Sequence, residues 1–239
     1  YKAYKFLKAH KNVTTVVEKT DAFSGELRIP TTKYLEGVKT YETLYKENDC
    51  TFVFDINKTY FSPRLSQERK MVAQDIAKSI KKTKKNTRIL VCFSGVAPFP
   101  IAIAKELKKQ QKEAKIIANE LNADACMYAK ENVRRNKLRD YITVVCDDAK
   151  NLPKDFTKKS DKFDSIVMPR PNLDDTFLKE ILNVAKKGTK IYYHGFGTEE
   201  KVRKEIEKDT KNNIKNLTLR KAGDIGKEKF RYHAEFSVK

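Results

Sequence analysis

Several features are missing from the 239-residue sequence, and each absence narrows what the chain can be. It has no run of about 18 apolar residues, so no membrane-spanning helix is expected. Its four cysteines (Cys50, Cys92, Cys126, Cys146) show neither CxxC pairs nor metal-ligand spacing. That argues against a zinc site or any other metal site, and against a disulfide framework. Cys92 and Cys146 fall in predicted buried strands and read as small apolar fillers, a reducing-compartment pattern that points to the cytoplasm. No internal repeat and no signal peptide is present in the sequence, which begins at Tyr1 and reads as a trimmed or partial chain. Acidic residues are in deficit: 32 Asp and Glu face 51 Lys and Arg, a formal net charge of +19. This exceeds what solubility requires and points to a polyanionic partner, most simply nucleic acid, with a general lysine bias as the competing explanation.

The chain is organised around Arg88–Phe99, RILVCFSGVAPF. A buried strand (Ile89, Leu90, Val91, Cys92) meets a small-residue turn (Ser94, Gly95, Val96, Ala97), and Pro98 opens a helix. Such a turn lets the backbone approach a ligand and aims free N–H groups at it. Strands are then predicted over 115–120, 141–149, 162–169 and 188–196, separated by helices from Asn122, over 174–187 and over 199–209, with two C-terminal strands closing the pattern. This alternation specifies an α/β fold, a doubly wound, mostly parallel Rossmann-like sheet of seven strands. Upstream, residues 1–12 read as a basic helix. KTYETLYKENDCTFVFDI reads as a hairpin turning at Glu47-Asn48-Asp49. The helix over 66–82 is predicted to start from Ser66 as N-cap, with Glu68 and Arg69 in its first turn and Met71, Val72, Ile76 and Ile80 on its buried face. The expected division is a small α+β module over 1–65 and the larger domain over 66–239.

Three strand ends converge at the carboxyl edge of such a sheet: Gly95, Glu120 and Asp148. An acid closing the second strand is placed to accept hydrogen bonds from ribose hydroxyls, and an aspartate after the third can meet an adenine amine. Helix capping is an alternative role for Glu120. The turn lacks GxGxxG, which favours S-adenosylmethionine over a dinucleotide.

GELRIP (25–30), KENDCTFVFDINKTYFSPRLSQER (46–69), FSGVAPF (93–99), NELNADA (119–125), ENVRRN (131–136) and IVMPRP (166–171) occur in that order. Together they resemble the archaeal/eukaryotic-type tRNA (guanine-N1)-methyltransferase family, relatives of the wybutosine-pathway enzymes, from residue 13 to the C-terminus. The resemblance implies a class I methyltransferase that uses S-adenosylmethionine and methylates N1 of the guanine at nucleotide 37 of tRNA. It extends to a tricyclic wyosine precursor as a further substrate. Expected partners are the anticodon stem-loop of tRNA and no membrane; a monomer is expected. Family members often carry a further N-terminal tRNA-binding domain, which this chain lacks or has lost.

By position, the resemblance makes Glu68 the general base and places Arg28 and Arg64 near the target base and its flanking phosphate. Phe93, Gly95, Val96, Pro98, Glu120, Leu121, Asp148, Ala149 and Met168 would hold the cofactor. Pro169, Arg170, Pro171 and Asn172 would form the acceptor-side loop. Tyr60, Phe61 and Tyr193 are candidates for aromatic contact with the base, with core packing as the competing role. Glu68 read without the family would be a first-turn glutamate favouring the helix dipole. The chain departs from the family at Val91 (usually Asp), Ala97 (usually Gly) and Pro169 (often Asn). Two other readings stand beside methylation: transfer of the cofactor's aminocarboxypropyl group to the tricyclic precursor, and a non-catalytic tRNA-binding relative.

Overall fold

A computed structural model describes residues 2–20, 31–83, 86–226 and 229–239. The GELRIP segment, with Arg28, lies outside the described residues. The main sheet is built from β5 (Arg88–Val91), β6 (Lys115–Glu120), β7 (Ile142–Cys146), β8 (Phe163–Met168), β9 (Ala185–Gly197), β10 (Ile214–Gly226) and β11 (Lys229–Val238). Its order is β10-β11-β9-β8-β5-β6-β7; β5 to β9 run parallel, and β11 is antiparallel to both of its neighbours. The chain winds from β5 outward to β7, then returns to β8 on the other side of β5. That reversal leaves a crevice at the carboxyl ends of the central strands.

The central strand reads as a continuous apolar run because both of its faces are covered. Ile89 and Val91 join a core with the helices α2 (Ser66–Ser79), α3 (Pro98–Lys109) and α4 (Ala123–Arg135). Leu90 and Cys92, pointing the other way, join a second core with α5 (Leu152–Asp155), α6 (Leu178–Leu182) and α7 (Glu199–Asp209). Among the described residues, no helix is long and apolar enough to cross a membrane.

The N-terminal part comprises α1 (Lys2–Ala9), a two-stranded ribbon of β1 (Thr15–Lys19) and β2 (Thr32–Gly37), and the hairpin β3 (Glu42–Glu47)–β4 (Cys50–Asp55). Asn48 and Asp49 both adopt positive φ (47° and 59°), the geometry that matches a two-residue turn to the strand twist. The hairpin does not stand apart in a 1–65 module. Cys50, Phe52 and Phe54 enter the same core as α2 and α3.

Two asparagines of ENVRRN fasten the hairpin's outer edge. The Asn132 amide accepts from Val53 N–H (2.7 Å) and donates to Val53 C=O and Val96 C=O (both 3.1 Å). Asn136 does the same for Thr51, accepting at 3.0 Å and donating at 2.8 Å. One turn apart, at the last turn and C-cap of α4, the pair acts as a short surrogate strand and satisfies an edge that would otherwise be left unpaired. Arg69 completes the attachment. Its Nε and Nη2 each lie 2.5 Å from the Glu47 carboxylate, Nη2 also donates to Ser62 C=O (3.1 Å), and its side chain is 2% exposed.

Four expectations are corrected here. Leu65, not Ser66, precedes the first turn of α2, because a 3₁₀ turn over Pro63–Leu65 runs straight into the helix; Ser66 instead accepts from Asn48. Met71 is exposed. The helix expected over 174–187 is only Leu178–Leu182. Phe177 ahead of it is left-handed (φ 57°), and β9 already begins at Ala185. Finally, Cys126 and Cys146 form a disulfide with Cα atoms 5.9 Å apart, and Cys146 is exposed at the end of β7. The expectation of four reduced cysteines is overturned; Cys50 and Cys92 are free and buried.

The Glu47–Arg69 pair sets a testable cost. Arg69→Met strands a buried carboxylate and should lower the unfolding free energy by about 3–5 kcal/mol. Adding Glu47→Gln should recover a large part of that loss in a urea-unfolding double-mutant cycle. Additive losses would show that the two side chains do not interact.

Candidate active site

The crevice holds a cleft of about 110 Å³, lined by Tyr60, Leu65, Phe93, Gly95, Asn119, Glu120, Asp148, Pro169, Phe177, His194 and Arg231 among others. Its floor is the turn after β5. Phe93, Gly95 and Ala97 all take positive φ (53°, 54°, 68°), and the Ser94, Gly95 and Ala97 amides of this tight turn donate to Asn119 C=O, the Glu120 carboxylate and Ser94 C=O. Ala97 therefore sits in the conformation that makes glycine the natural occupant. A Cβ on Gly95 would meet only Tyr60 C=O, at 3.5 Å, so the cleft side of this turn is open backbone.

Glu120 ends β6 facing that turn. One carboxylate oxygen accepts from Gly95 N–H (2.6 Å), and the other from Leu121 N–H (3.0 Å) and Asn122 N–H (2.9 Å). Burial pushes its carboxyl up against the pull of these three amides. Asn122 caps α4 through its side-chain oxygen (Asp124 N–H at 2.9 Å) and donates to Lys58 C=O (2.8 Å), fixing the 56–61 segment over the cleft. Asn119 links the ends of β5 and β7: its C=O accepts from Ser94 N–H (2.9 Å) and its amide donates to Asp147 C=O (2.7 Å). Asp148 caps the turn over Ala149–Asn151 by accepting from Lys150 N–H (2.9 Å). Phe177, edge-on to Phe93 with centroids 4.9 Å apart, gives the cleft an aromatic wall.

Of the residues expected to bind cofactor, Phe93, Gly95, Glu120, Leu121, Asp148 and Ala149 line this cleft. Val96 and Met168 are fully buried in the two cores, and Pro98, like them, is not part of the lining. In the acceptor loop, Pro169, Arg170 and Pro171 reach the cleft, while Asn172 is exposed outside it. Arg170 is a strut: its buried guanidinium donates to Leu173 C=O (2.7 Å) and Asp175 C=O (3.2 Å), and lies over the Tyr193 ring. Tyr60 lines the cleft, whereas Phe61 packs against Phe52, Phe54 and Tyr45 in the core. Tyr193 is likewise buried. Arg64 is exposed on the turn before α2, next to Leu65, which lines the cleft.

Glu68 lies behind the wall and is absent from the lining. Its side chain is 5% exposed, and both oxygens are engaged. Arg220 of β10 grips them at 2.8 and 3.0 Å, His233 Nδ1 is 2.6 Å from Oε1, and His194 Nε2 is 3.6 Å from the same atom. His194 and His233 face each other across the β9–β11 ladder. The cluster continues outward: His233 Nε2 is 3.0 Å from Glu235, which pairs with Lys190 at 2.9 Å. Burial alone raises the Glu68 carboxyl, but bonds from His194, His233 and Arg220 win and hold it well below the carboxylate range. Burial pulls His194 down to about 4 against the opposing pull of Glu68. At His233 burial also pulls down, but Glu235 and Glu68 on either side overcome it and raise the imidazole. The pair therefore divides, one ring neutral and the other charged.

The sequence reading missed Asn119, Asn122, Phe177, His194 and Arg231. A signal existed for the histidine: of three in the chain, two fall in neighbouring predicted strands, YYHGF and RYHAEF.

The TRM5/TYW2 methyltransferase domain family matches this chain over residues 43–219. The tRNA (guanine(37)-N(1))/4-demethylwyosine(37)-methyltransferase Taw22 of Nanoarchaeum equitans is 32% identical over 95% of this chain and 89% of its own length. The tRNA (guanine(37)-N(1))-methyltransferase Trm5b of Pyrococcus abyssi is 30% identical, over 81% of this chain and 52% of its own. This chain thus spans about half of that second relative. A solved complex of aTrm5 with tRNALeu superposes with a TM-score of 0.80 at 25% identity, over 98% of this chain and 64% of that one.

The division between the two histidines is measurable by NMR titration of the ring protons. His194 should stay neutral down to about pH 4, while His233 should remain protonated above the ordinary histidine midpoint. Glu68→Gln should lower the His233 midpoint; an unmoved midpoint would show that the carboxylate does not hold the charge.

Proposed function

The chain belongs to the TRM5/TYW2 methyltransferase domain family; from that premise we propose that it transfers the methyl group of S-adenosylmethionine to N1 of the guanine at nucleotide 37 of tRNA. A demethylated wyosine base at the same nucleotide is the second substrate, a reading supported by the double activity in the name of the Nanoarchaeum equitans relative. The single observation that carries the proposal is the adjacency of two features: a cofactor-type cleft built on Gly95 and Glu120, and a buried, hydrogen-bonded carboxylate behind its wall, Glu68.

The residues present fit the cofactor. Glu120 offers carboxylate oxygens to ribose hydroxyls at the carboxyl edge of β6. Leu121 and Phe177 supply apolar walls for a purine, and the Gly95 turn admits close backbone approach. Bound there, S-adenosylmethionine supplies an electrophilic methyl group on a sulfonium. The protein must do the rest. Guanine N1 carries a proton at neutral pH and is not a nucleophile until that proton leaves. A carboxylate acting as general base contributes about 10²–10⁴-fold, and Glu68 is the final acceptor in this reading. A guanidinium near O6 would stabilise the charge that moves there; Arg28 and Arg64 are assigned to the base and its flanking phosphate.

The excess of basic side chains, +19 overall, suits the phosphates of an anticodon stem-loop, and binding should weaken steeply with salt. We assign the protein to the cytoplasm on its tRNA substrate, since the Cys126–Cys146 disulfide removes the argument from reduced cysteines, and we assign it as a monomer.

The test uses tRNA transcripts with guanine at nucleotide 37 and cofactor labelled separately in its methyl and carboxyl groups. Methyl label should enter the tRNA, be absent when that guanine is replaced, and fall by about 10²-fold or more in Glu68→Gln. Glu120→Ala should weaken cofactor binding, measured by calorimetry, without unfolding the chain. Carboxyl label entering only the tricyclic precursor would make the protein an aminocarboxypropyl transferase. Binding of tRNA without transfer of either label would leave a non-catalytic module.

A further inference from the structure

We propose that Arg231 and Lys229 form a phosphate track that holds the RNA backbone next to guanine 37 as it leaves the cleft; the inference rests on the guanine-N1 reading above. The track follows from the alternation of β11. Phe230, Tyr232, Ala234, Phe236 and Val238 face the core that contains α7. Lys229, Arg231, His233 and Glu235 therefore lie on the other face, toward α2. Followed outward along that face, His233 is buried against Glu68, Arg231 lines the cleft, and Lys229 is exposed. Cations two residues apart stand about 6.8 Å from each other along a strand, close to the spacing of neighbouring phosphates on an extended RNA chain.

The surroundings of the two cations leave room for a chain. The residues opposite them on β10 are glycines: Gly223 pairs with Arg231, and Gly226 with Lys229. A Cβ at Gly223 would meet nothing within 4 Å, and one at Gly226 only the Lys229 Cβ, at 4.0 Å. The strip beside both cations is thus bare backbone. β9 ends at Gly197, opposite Phe230, so Lys229 stands past that end with a strand on one side only. Lys229 makes no ion pair among the described residues. The acids of this corner are committed elsewhere. Asp224 stands opposite Phe230 and so belongs to the other face, while Glu199 and Glu200 pair with Arg203 and Lys204 along α7. The Arg231 guanidinium lies over the Phe196 ring at 5.4 Å, a stacking that leaves its planar N–H fork to meet phosphate oxygens edge-on.

Position in the sheet identifies the occupant. In the order β11-β9-β8-β5-β6, Arg231 is four strands from Glu120, about 19 Å along the carboxyl edge. The cleft is acidic at the Glu120 and Asp148 end and basic at the Arg231 end. A cofactor whose ribose sits on Glu120 leaves the Arg231 end to the RNA. Phosphates flanking the guanine then follow β11 outward, meeting Arg231 first and Lys229 next.

Two measurements test this. The first follows binding of an anticodon stem-loop across a salt series, with the protein saturated with S-adenosylhomocysteine. Lys229→Ala and Arg231→Gln should each reduce the slope of log affinity against log salt by about 0.7, and weaken binding about fivefold at about 0.1 M salt. Both variants should bind S-adenosylhomocysteine as wild type does. The second uses stem-loops in which one phosphate at a time, on either side of guanine 37, is replaced by an uncharged methylphosphonate. One such position should weaken wild type about fivefold and leave Lys229→Ala, a change at an exposed side chain, unaffected. Unchanged slopes in both variants, or equal losses in wild type and Lys229→Ala at every position, would contradict the track; methyl transfer to guanine 37 by wild type would then leave the guanine reading in place. Weaker S-adenosylhomocysteine binding by Arg231→Gln at an unchanged slope would give Arg231 to the cofactor's carboxylate and overturn the proposal. A wild-type protein that neither binds nor methylates the stem-loop would remove the reading and the track with it.

Discussion

A buried carboxylate must be neutralised on the spot, and the burial of Glu68 dictates how this end of the molecule is built. One oxygen is shared by two histidines and an arginine and the other is held by that arginine, and these partners come from three strands. Delivering them requires β9 and β11 to pair in the register that sets His194 opposite His233, and β10 to run alongside far enough to carry Arg220. The C-terminal strands therefore complete the chemical floor as well as closing the sheet. An unpaired charge in this position would cost several kcal/mol, so the cluster and the strand register support each other.

The residue beside Glu68 turns the same helix start to a different use. Arg69 points away from the cleft and locks the hairpin through Glu47. From the other side, Asn132 ties that hairpin to Val96 in the cofactor-side turn. Hairpin, turn and helix start are thus held to each other by buried polar contacts that are geometrically demanding, while the apolar core beneath them supplies most of the stability. A site that must place a base against a methyl group benefits from such rigidity, because in-line transfer depends mainly on position.

Much of this was legible in the sequence. The strand–turn–helix at Arg88–Phe99, the acid closing β6 and the helix over 199–209 all follow from local pattern, and the structure has them in place. What was not legible depends on partners distant in the chain. Phe61 stood open between base contact and core packing, and Phe52 and Phe54 of the hairpin claim it for the core. Cys126 and Cys146 lie 20 residues apart on a helix and a strand, and only the βα packing brings them together. His194 sits in an apolar strand where a single histidine carries no local sign of function. Its meaning comes from His233, which cross-strand register places opposite it. The failed helix prediction over 174–187 has a local cause: Asp175 accepts from Phe177 N–H at 2.9 Å and turns the chain left-handed just before the helix.

The most direct test of the account is a crystal structure of the protein with S-adenosylhomocysteine and a stem-loop carrying guanine at nucleotide 37. The account predicts ribose hydroxyls on the Glu120 carboxylate, the purine between Leu121 and Phe177, and the guanine splayed out with its N1 edge toward His194 and Glu68. Ribose bound away from Glu120, or guanine seated on the far side of the Pro169 loop, would contradict it.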